Sequence, residues 1–147
     1  MEMQFSAHIG YYIQEIARKS ANALNERLSD LDITYAQFRV LNTLWKRGTL
    51  TQKEILVYIC VKPSTLTGLT DQLEKKGLAG RIEVKGDRRA KQIALTPKGE
   101  ALRDAAFKII GDFEKETTSH ISDPLREEIL SALKQMNNGL DGVGALD

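Results

Sequence analysis

A chain of 147 residues, 41% hydrophobic and 28% charged, is long enough to bury a core of its own and too apolar for a disordered or fibrous protein. No apolar run reaches the roughly 20 residues of a membrane span, and Met1-Glu2-Met3-Gln4-Phe5 lacks the basic-then-apolar layout of a signal peptide, so a cytoplasmic protein that does not enter the membrane is expected. Cys60 is the one cysteine and His8 and His120 the two histidines, which excludes an internal disulfide and leaves no cluster at metal-ligand spacing; neither metal nor cofactor is expected.

The formal net charge is +1, but it is spread unevenly. From Lys62 to Lys98 nine basic residues stand against four acidic ones, a surplus of five, so the remainder of the chain carries −4. Such asymmetry fits a phosphate-binding footprint on one part of the molecule, although a charge run is more often a solvated face.

From about Phe5 to Leu28, Ile9, Ile13, Ile16, Ala17, Leu24 and Leu28 recur at helical spacing without a proline, which predicts one long amphipathic helix. Its stripe needs later helices or a partner chain to cover it. Thr34 with Gln37 then makes a T-x-x-Q capping box, Ile33 and Phe38 take the positions of a hydrophobic staple, and the stripe Phe38, Leu41, Leu44, Trp45 runs to a closing Gly48. Thr51 with Glu54 and Leu50 with Ile55 repeat both devices and open a short third helix, with Ile55, Leu56 and Ile59 on its inner side. Pro63 suits the first turn of a fourth helix, where its missing N–H costs nothing. Leu66, Leu69 and Leu73 form that helix's inner stripe, and Lys75-Lys76-Gly77 is a basic last turn followed by a C′ glycine. Its outer face, Ser64, Thr65, Thr67, Gly68, Asp71 and Gln72, is small and polar.

The period then changes to two. Ile82 and Val84 alternate with Arg81 and Glu83, and Ile93 and Leu95 with Gln92 and Ala94, around a polar turn from Lys85 to Ala90; this predicts a β-hairpin with a basic tip. Thr96 caps a fifth helix with Pro97 in its first turn and the stripe Leu102, Ala105, Ala106, Ile109, Ile110 and Phe113, expected to run to about Ser119. Ser122 or Asp123, then Pro124, opens a sixth with Leu125, Ile129, Leu133, Met136 and Leu140 on one side, and Gly142 to Asp147 reads as a frayed end.

Two short capped helices, a tight connection and a basic-tipped hairpin are the parts of a winged helix-turn-helix, in a fold that is mainly α with a small β-hairpin wing. In that geometry residues 51–59 brace across the backbone of duplex DNA and residues 63–76 enter the major groove, where short hydroxyls and Gln72 let the helix axis sit deep. A plain helical hairpin with a solvated outer face is the alternative that periodicity leaves open. No nucleophile sits beside a base and no glycine-rich phosphate loop occurs, so an enzyme is not expected.

The stretches Leu50-Thr51-Gln52-Lys53-Glu54, Val61-Lys62-Pro63-Ser64-Thr65-Leu66-Thr67, Leu73-Glu74-Lys75-Lys76-Gly77-Leu78, Asp87-Arg88-Arg89-Ala90-Lys91 and Leu95-Thr96-Pro97-Lys98-Gly99 resemble, in order and spacing, the MarR family of transcription regulators. The resemblance covers about Ile33 to Gly99. It implies one domain over residues 1–147, with a winged helix-turn-helix lobe at 32–99 and a helical dimerisation layer from 1–31 and 100–141. It further implies a homodimeric repressor on palindromic double-stranded operator DNA, released by a small aromatic or lipophilic ligand.

Carried over from the resemblance, the D-x-R-x-K motif is Asp87, Arg89 and Lys91. Arg89 would enter the minor groove, Asp87 would stabilise the wing, and Ser64, Thr65, Thr67 and Gly68 would be recognition-helix contacts. Lys62, Gln72, Lys85, Arg88 and Lys91 complete the expected DNA-binding set. Tyr12, Thr34, Tyr35, Phe38 and Arg39 are candidate ligand-pocket liners, each equally explained as a core or capping residue. The sequence departs from the family at Cys60, where a small turn residue is common, at Val57 and Tyr58, which make the bracing helix more apolar, and at Gly80, on the way to the wing. Cys60 is expected to be a buried small thiol. The alternatives are a redox-sensing regulator acting through Cys60, though no cysteine stands at Ser6, Ala7 or His8 where some relatives carry one, and a winged-helix module that binds protein, against which the basic wing speaks.

Overall fold

The computed structural model of the chain describes residues 7–141, without the side chains of residues 87–90. The expected helix start at Phe5 and the expected frayed end, Gly142 to Asp147, lie outside the described residues. The chain divides into two compact units, residues 1–110 and 111–147. The first holds α1 (Ile9–Leu28), a 3-10 turn (Ser29–Leu31), α2 (Tyr35–Arg47), β1 (Leu50–Thr51), α3 (Gln52–Tyr58), α4 (Pro63–Lys75), β2 (Ala79–Val84), β3 (Asp87–Leu95), α5 (Pro97–Ala101) and the first half of α6 (Arg103–Thr118). The second holds the rest of α6 and α7 (Asp123–Leu140).

Local chemistry sets the helix ends. At α2 the Thr34 hydroxyl accepts from the Gln37 N–H and the Gln37 side chain accepts from the Thr34 N–H, both at 3.1 Å. Thr51 and Glu54 close the same reciprocal box at α3, with distances of 3.2 and 2.7 Å. The end of α4 is a Schellman motif: Leu78 N–H donates to the Leu73 carbonyl and Gly77 N–H to the Glu74 carbonyl, each at 2.9 Å, with Gly77 at φ +69°. Glycine takes that backbone conformation at no steric cost.

Leu28, Leu41, Leu44, Ile55, Leu66, Leu73 and Ile93 are fully buried, so the core gathers one face each of α1, α2, α3, α4 and β3. Beside it Tyr35 stacks on Phe38 at 6.1 Å, and Phe38, Trp45 and Phe107 form a ring cluster with centroids 5.5–6.3 Å apart. Of the α1 stripe, Leu24 and Leu28 are buried, while Ile9, Ile13 and Ile16 are exposed. In the second unit Leu125, Ile129, Leu133, Met136 and Leu140, all on the apolar side of α7, are exposed too.

The wing belongs to a three-stranded antiparallel sheet ordered β1-β3-β2. No sequence pattern announces β1, because two residues are too few to show an alternation. The turn is also shorter than expected. Val84 pairs with Asp87 around Lys85-Gly86, with Gly86 at φ +93°, and residues 87–90 belong to β3, where a register shift between Glu83 and Val84 absorbs the extra length. Nor does the apolar alternation mark the inner face of β2. Arg81 lies opposite Ile93, while Ile82 lies opposite Gln92 and is 46% exposed.

The expected single fifth helix is two, α5 and α6, broken at Leu102. In a continuous helix the Gly99 carbonyl would accept from the Arg103 N–H; here it accepts from the Trp45 indole at 3.1 Å. Gly99 is itself buried, and a Cβ built on it would overlap the Leu78 carbonyl. Gly99→Ala is expected to cost about 1–3 kcal/mol of stability by overpacking. Gly139→Ala, where an added Cβ meets nothing within 4 Å, should cost none; thermal melts of the two variants make the comparison.

Candidate nucleic-acid interface

Burial of Leu66, Leu69, Thr70 and Leu73 fixes the rotation of α4, and Ser64, Thr65, Thr67, Gly68, Asp71 and Gln72 are left exposed as the sequence predicts. Three neighbours hold the helix. From α3, Gln52 donates through Nε2 to the Pro63 carbonyl at 3.0 Å and to the Thr67 hydroxyl at 2.7 Å, so the bracing helix grips the first turn of α4. Thr67 donates in turn to the Pro63 carbonyl at 3.1 Å, which engages its hydroxyl within the protein although the residue is exposed.

From β2, the Arg81 guanidinium bridges Asp71, at 2.8 Å, and Glu74, while the Arg81 N–H donates to the same Glu74 carboxylate at 3.2 Å. From α2, Gln37 donates through Nε2 to Gln72 Oε1 at 2.7 Å, and Lys76 Nζ donates to Gln37 Oε1 at 3.0 Å and to the Asp32 carbonyl at 2.6 Å.

These ties sort the basic segment. Arg81 and Lys76 are structural, whereas Lys62, Lys75, Lys85 and Lys91 are exposed and enter no ion pair among the described residues. Lys62 caps α4 without a side-chain bond, so its first-turn N–H groups and its dipole face an end where an anion is stabilised. Lys85 sits in the two-residue turn of the wing. The side chains of Asp87, Arg88 and Arg89 lie outside the described residues.

Cys60 is exposed, not buried as expected. The chain leaves α3 through Ile59 in extended conformation, and Ile59 takes the inner position, which turns the next residue outward. Val57, 76% exposed, and Tyr58 lie on the outside of α3, with the Arg47 guanidinium 3.8 Å from the Tyr58 ring centroid, a cation–π contact that no sequence pattern announced. Among the candidate pocket liners, Tyr35 and Phe38 share the aromatic cluster, Thr34 is engaged as a cap, Arg39 is half-buried, and Tyr12 is exposed with its ring edge-on to Tyr11. Among the described residues no group of three or more His, Cys, Asp or Glu could hold a metal ion, and no helix is long and apolar enough to cross a membrane.

A bracing helix, a second helix with an exposed polar face, and a strand-turn-strand tied to that helix make a winged helix-turn-helix. The MarR family pattern matches residues 33–91. The multiple antibiotic resistance protein MarR of Escherichia coli is 32% identical over 115 residues, 78% of this chain and 80% of that protein. The HTH-type transcriptional repressor MdtR of Bacillus subtilis is 34% identical over 97 residues, 66% of this chain and 63% of that protein. Among solved structures, a cysteine-to-serine mutant of E. coli MarR complexed with operator DNA superposes with a TM-score of 0.82 at 30% identity, covering 92% of this chain and 99% of that one. The chain belongs to the MarR family of transcription regulators.

Replacing Arg81 should loosen the wing. Arg81→Ala leaves Asp71 and Glu74 without their shared partner and is expected to cost about 1 kcal/mol, modest because both carboxylates are partly exposed. Arg81→Lys should recover only part of it, since one ammonium cannot fork across two carboxylates. Denaturant titration of both variants measures the difference.

Proposed function

We propose that the chain is a cytoplasmic transcription repressor, not an enzyme, that binds palindromic operator DNA as a homodimer and is released by a small aromatic or lipophilic ligand. The observation that carries this reading is the exposed polar face of α4, held on its other sides by α2, α3 and β2. The likeness to a MarR protein complexed with operator DNA supports it.

In this reading residues 32–99 are the DNA-binding lobe, and 1–31 with 100–141 the dimerisation region. Ser64, Thr65 and Gly68 approach base edges, Lys62, Lys85, Arg88 and Lys91 neutralise phosphates, Asp87 steadies the wing, and Arg89 enters a narrow minor groove whose negative potential attracts it. Thr67 contributes its methyl group, its hydroxyl being engaged. The repressor reading follows the printed name of the B. subtilis relative. Tyr12, Thr34, Tyr35, Phe38 and Arg39 are the proposed ligand contacts, supported by the half-buried edge of the Tyr35–Phe38 stack.

The homodimer is supported by the exposed Ile9, Ile13 and Ile16 of α1 and the exposed stripe of α7, apolar surface that a second copy would remove from water. Sedimentation at micromolar concentration is expected to show a dimer; a folded monomer contradicts it.

Arg89→Ala tests the wing. Titration of operator DNA, selected from random duplexes with the wild-type chain, should show a loss of about 1–3 kcal/mol per half-site. Arg18→Ala, on α1 and paired with Glu15, should lose almost nothing. A phosphate contact by Arg89 flattens the dependence of log K on log salt by about one unit per protomer, whereas a base contact mainly relaxes sequence preference. Equal affinity of Arg89→Ala and wild type at every salt concentration overturns the wing's role.

A further inference from the structure

The side chain of Gln37 carries an assignment that reaches the DNA-facing surface. The residue is 2% exposed, and its polar atoms are engaged by neighbours of fixed chemistry. Its Oε1 accepts from the Thr34 backbone N–H at 3.1 Å and from the Lys76 ammonium at 3.0 Å. Both of those groups can only donate, so the atom between them must be the amide oxygen. The other end of the Gln37 amide is then its NH2, which can only donate, and the atom of Gln72 that meets it at 2.7 Å must be the Gln72 oxygen. Two amides that are commonly ambiguous are thereby oriented by their partners.

Gln72 is exposed on α4, two turns along from Ser64 and one from Gly68, on the face that the proposed function gives to DNA. With its oxygen held by Gln37, the end it presents outward is the NH2. We propose that Gln37 is a positioning residue that turns the Gln72 oxygen inward and its NH2 outward, so that Gln72 meets DNA as a donor, at a phosphate oxygen or at an acceptor on a base edge. The bidentate pairing of Gln with adenine turns the side-chain oxygen as well as the nitrogen toward the base, an orientation that the inward bond to Gln37 opposes. This rests on the DNA-binding reading.

Gln37→Glu inverts the arrangement without touching the outer surface. One carboxylate oxygen still accepts from Thr34 N–H and from Lys76, now a charged pair. The other can only accept, so the Gln72 amide turns about to donate inward, and its carbonyl faces out.

Two measurements test this. In the free wild-type protein, side-chain amide hydrogen exchange by NMR should be slow for Gln37 and fast for Gln72. In Gln37→Glu the protection should pass to Gln72. Protected Gln72 amide protons in the wild type would mean the opposite orientation and overturn the proposal.

On the selected duplex, Gln37→Glu and Gln72→Ala should each weaken binding about tenfold. The double variant should be no weaker than Gln72→Ala alone, because the first substitution acts only through the second residue. Loss of affinity that is uniform across duplexes identifies the acceptor as phosphate, and a changed preference at one purine, through N7 or guanine O6, or at one thymine, through O4, identifies a base edge; both support the proposal. A preference for adenine over guanine that disappears with Gln72→Ala overturns it, because only the adenine N6 donor calls for the Gln72 oxygen. Wild-type affinity in Gln37→Glu overturns it too, as do additive losses in the double variant. Should Gln37→Glu fail to fold, Gln72→Glu, altered only at the surface, must still weaken binding by at least about tenfold, and wild-type affinity for it overturns the proposal. A wild-type chain that selects no duplex overturns the DNA-binding reading itself, a result distinct from each of these.

Discussion

The burial of Leu66, Leu69 and Leu73 governs the rest of the molecule, because three leucines on one stripe of a helix can be removed from water at only one rotation about its axis. At about 25 cal/mol per Å² of apolar surface, each fully buried leucine contributes roughly 1.5–3 kcal/mol relative to exposure, so a turned helix would forfeit several kcal/mol. Once that rotation is fixed, Ser64, Thr65, Gly68 and Gln72 must face outward. Polar ties then refine the helix without setting it. Gln52 at its first turn, Arg81 along its side and Gln37 near its end each fasten α4 to a different element.

The sheet joins those elements to one another. β1 lies just before the bracing helix, β2 follows the reading helix, and β3 runs between them, with Leu50, Ile93 and Arg81 in one cross-strand row. The wing and both helices are therefore joined through one sheet. The Leu78 carbonyl sits where a side chain on Gly99 would go, and Trp45 holds the Gly99 carbonyl, so α5 leaves the sheet at a fixed point of the core.

Much of this was legible in the sequence because it is local. Capping boxes at Thr34 and Thr51, prolines at 63 and 97 and the glycine at 77 are short-range devices whose partners lie within a few residues. What the sequence hid depends on partners far along the chain. Arg81 reads as an outward strand residue until Asp71 and Glu74 draw it inward, and Gln72 reads as a free base reader until Gln37 takes its oxygen. β1 exists only through its pairing with β3, and the break at Leu102 accompanies an indole bond that reaches Gly99 from Trp45, 54 residues away. Cys60 faces outward, against the expectation of a buried thiol, because its neighbour Ile59 claims the inner position.

In the proposed binding mode the polar face of α4 enters the major groove while the wing approaches the minor groove. Dimethyl sulfate reads both at once, since it methylates guanine N7 in the major groove and adenine N3 in the minor groove. On a duplex selected by the chain, this mode should give two clusters of protected guanine N7 about one helical turn apart, each flanked outward by protected adenine N3. A duplex that is saturated with protein yet keeps every guanine N7 reactive would contradict it.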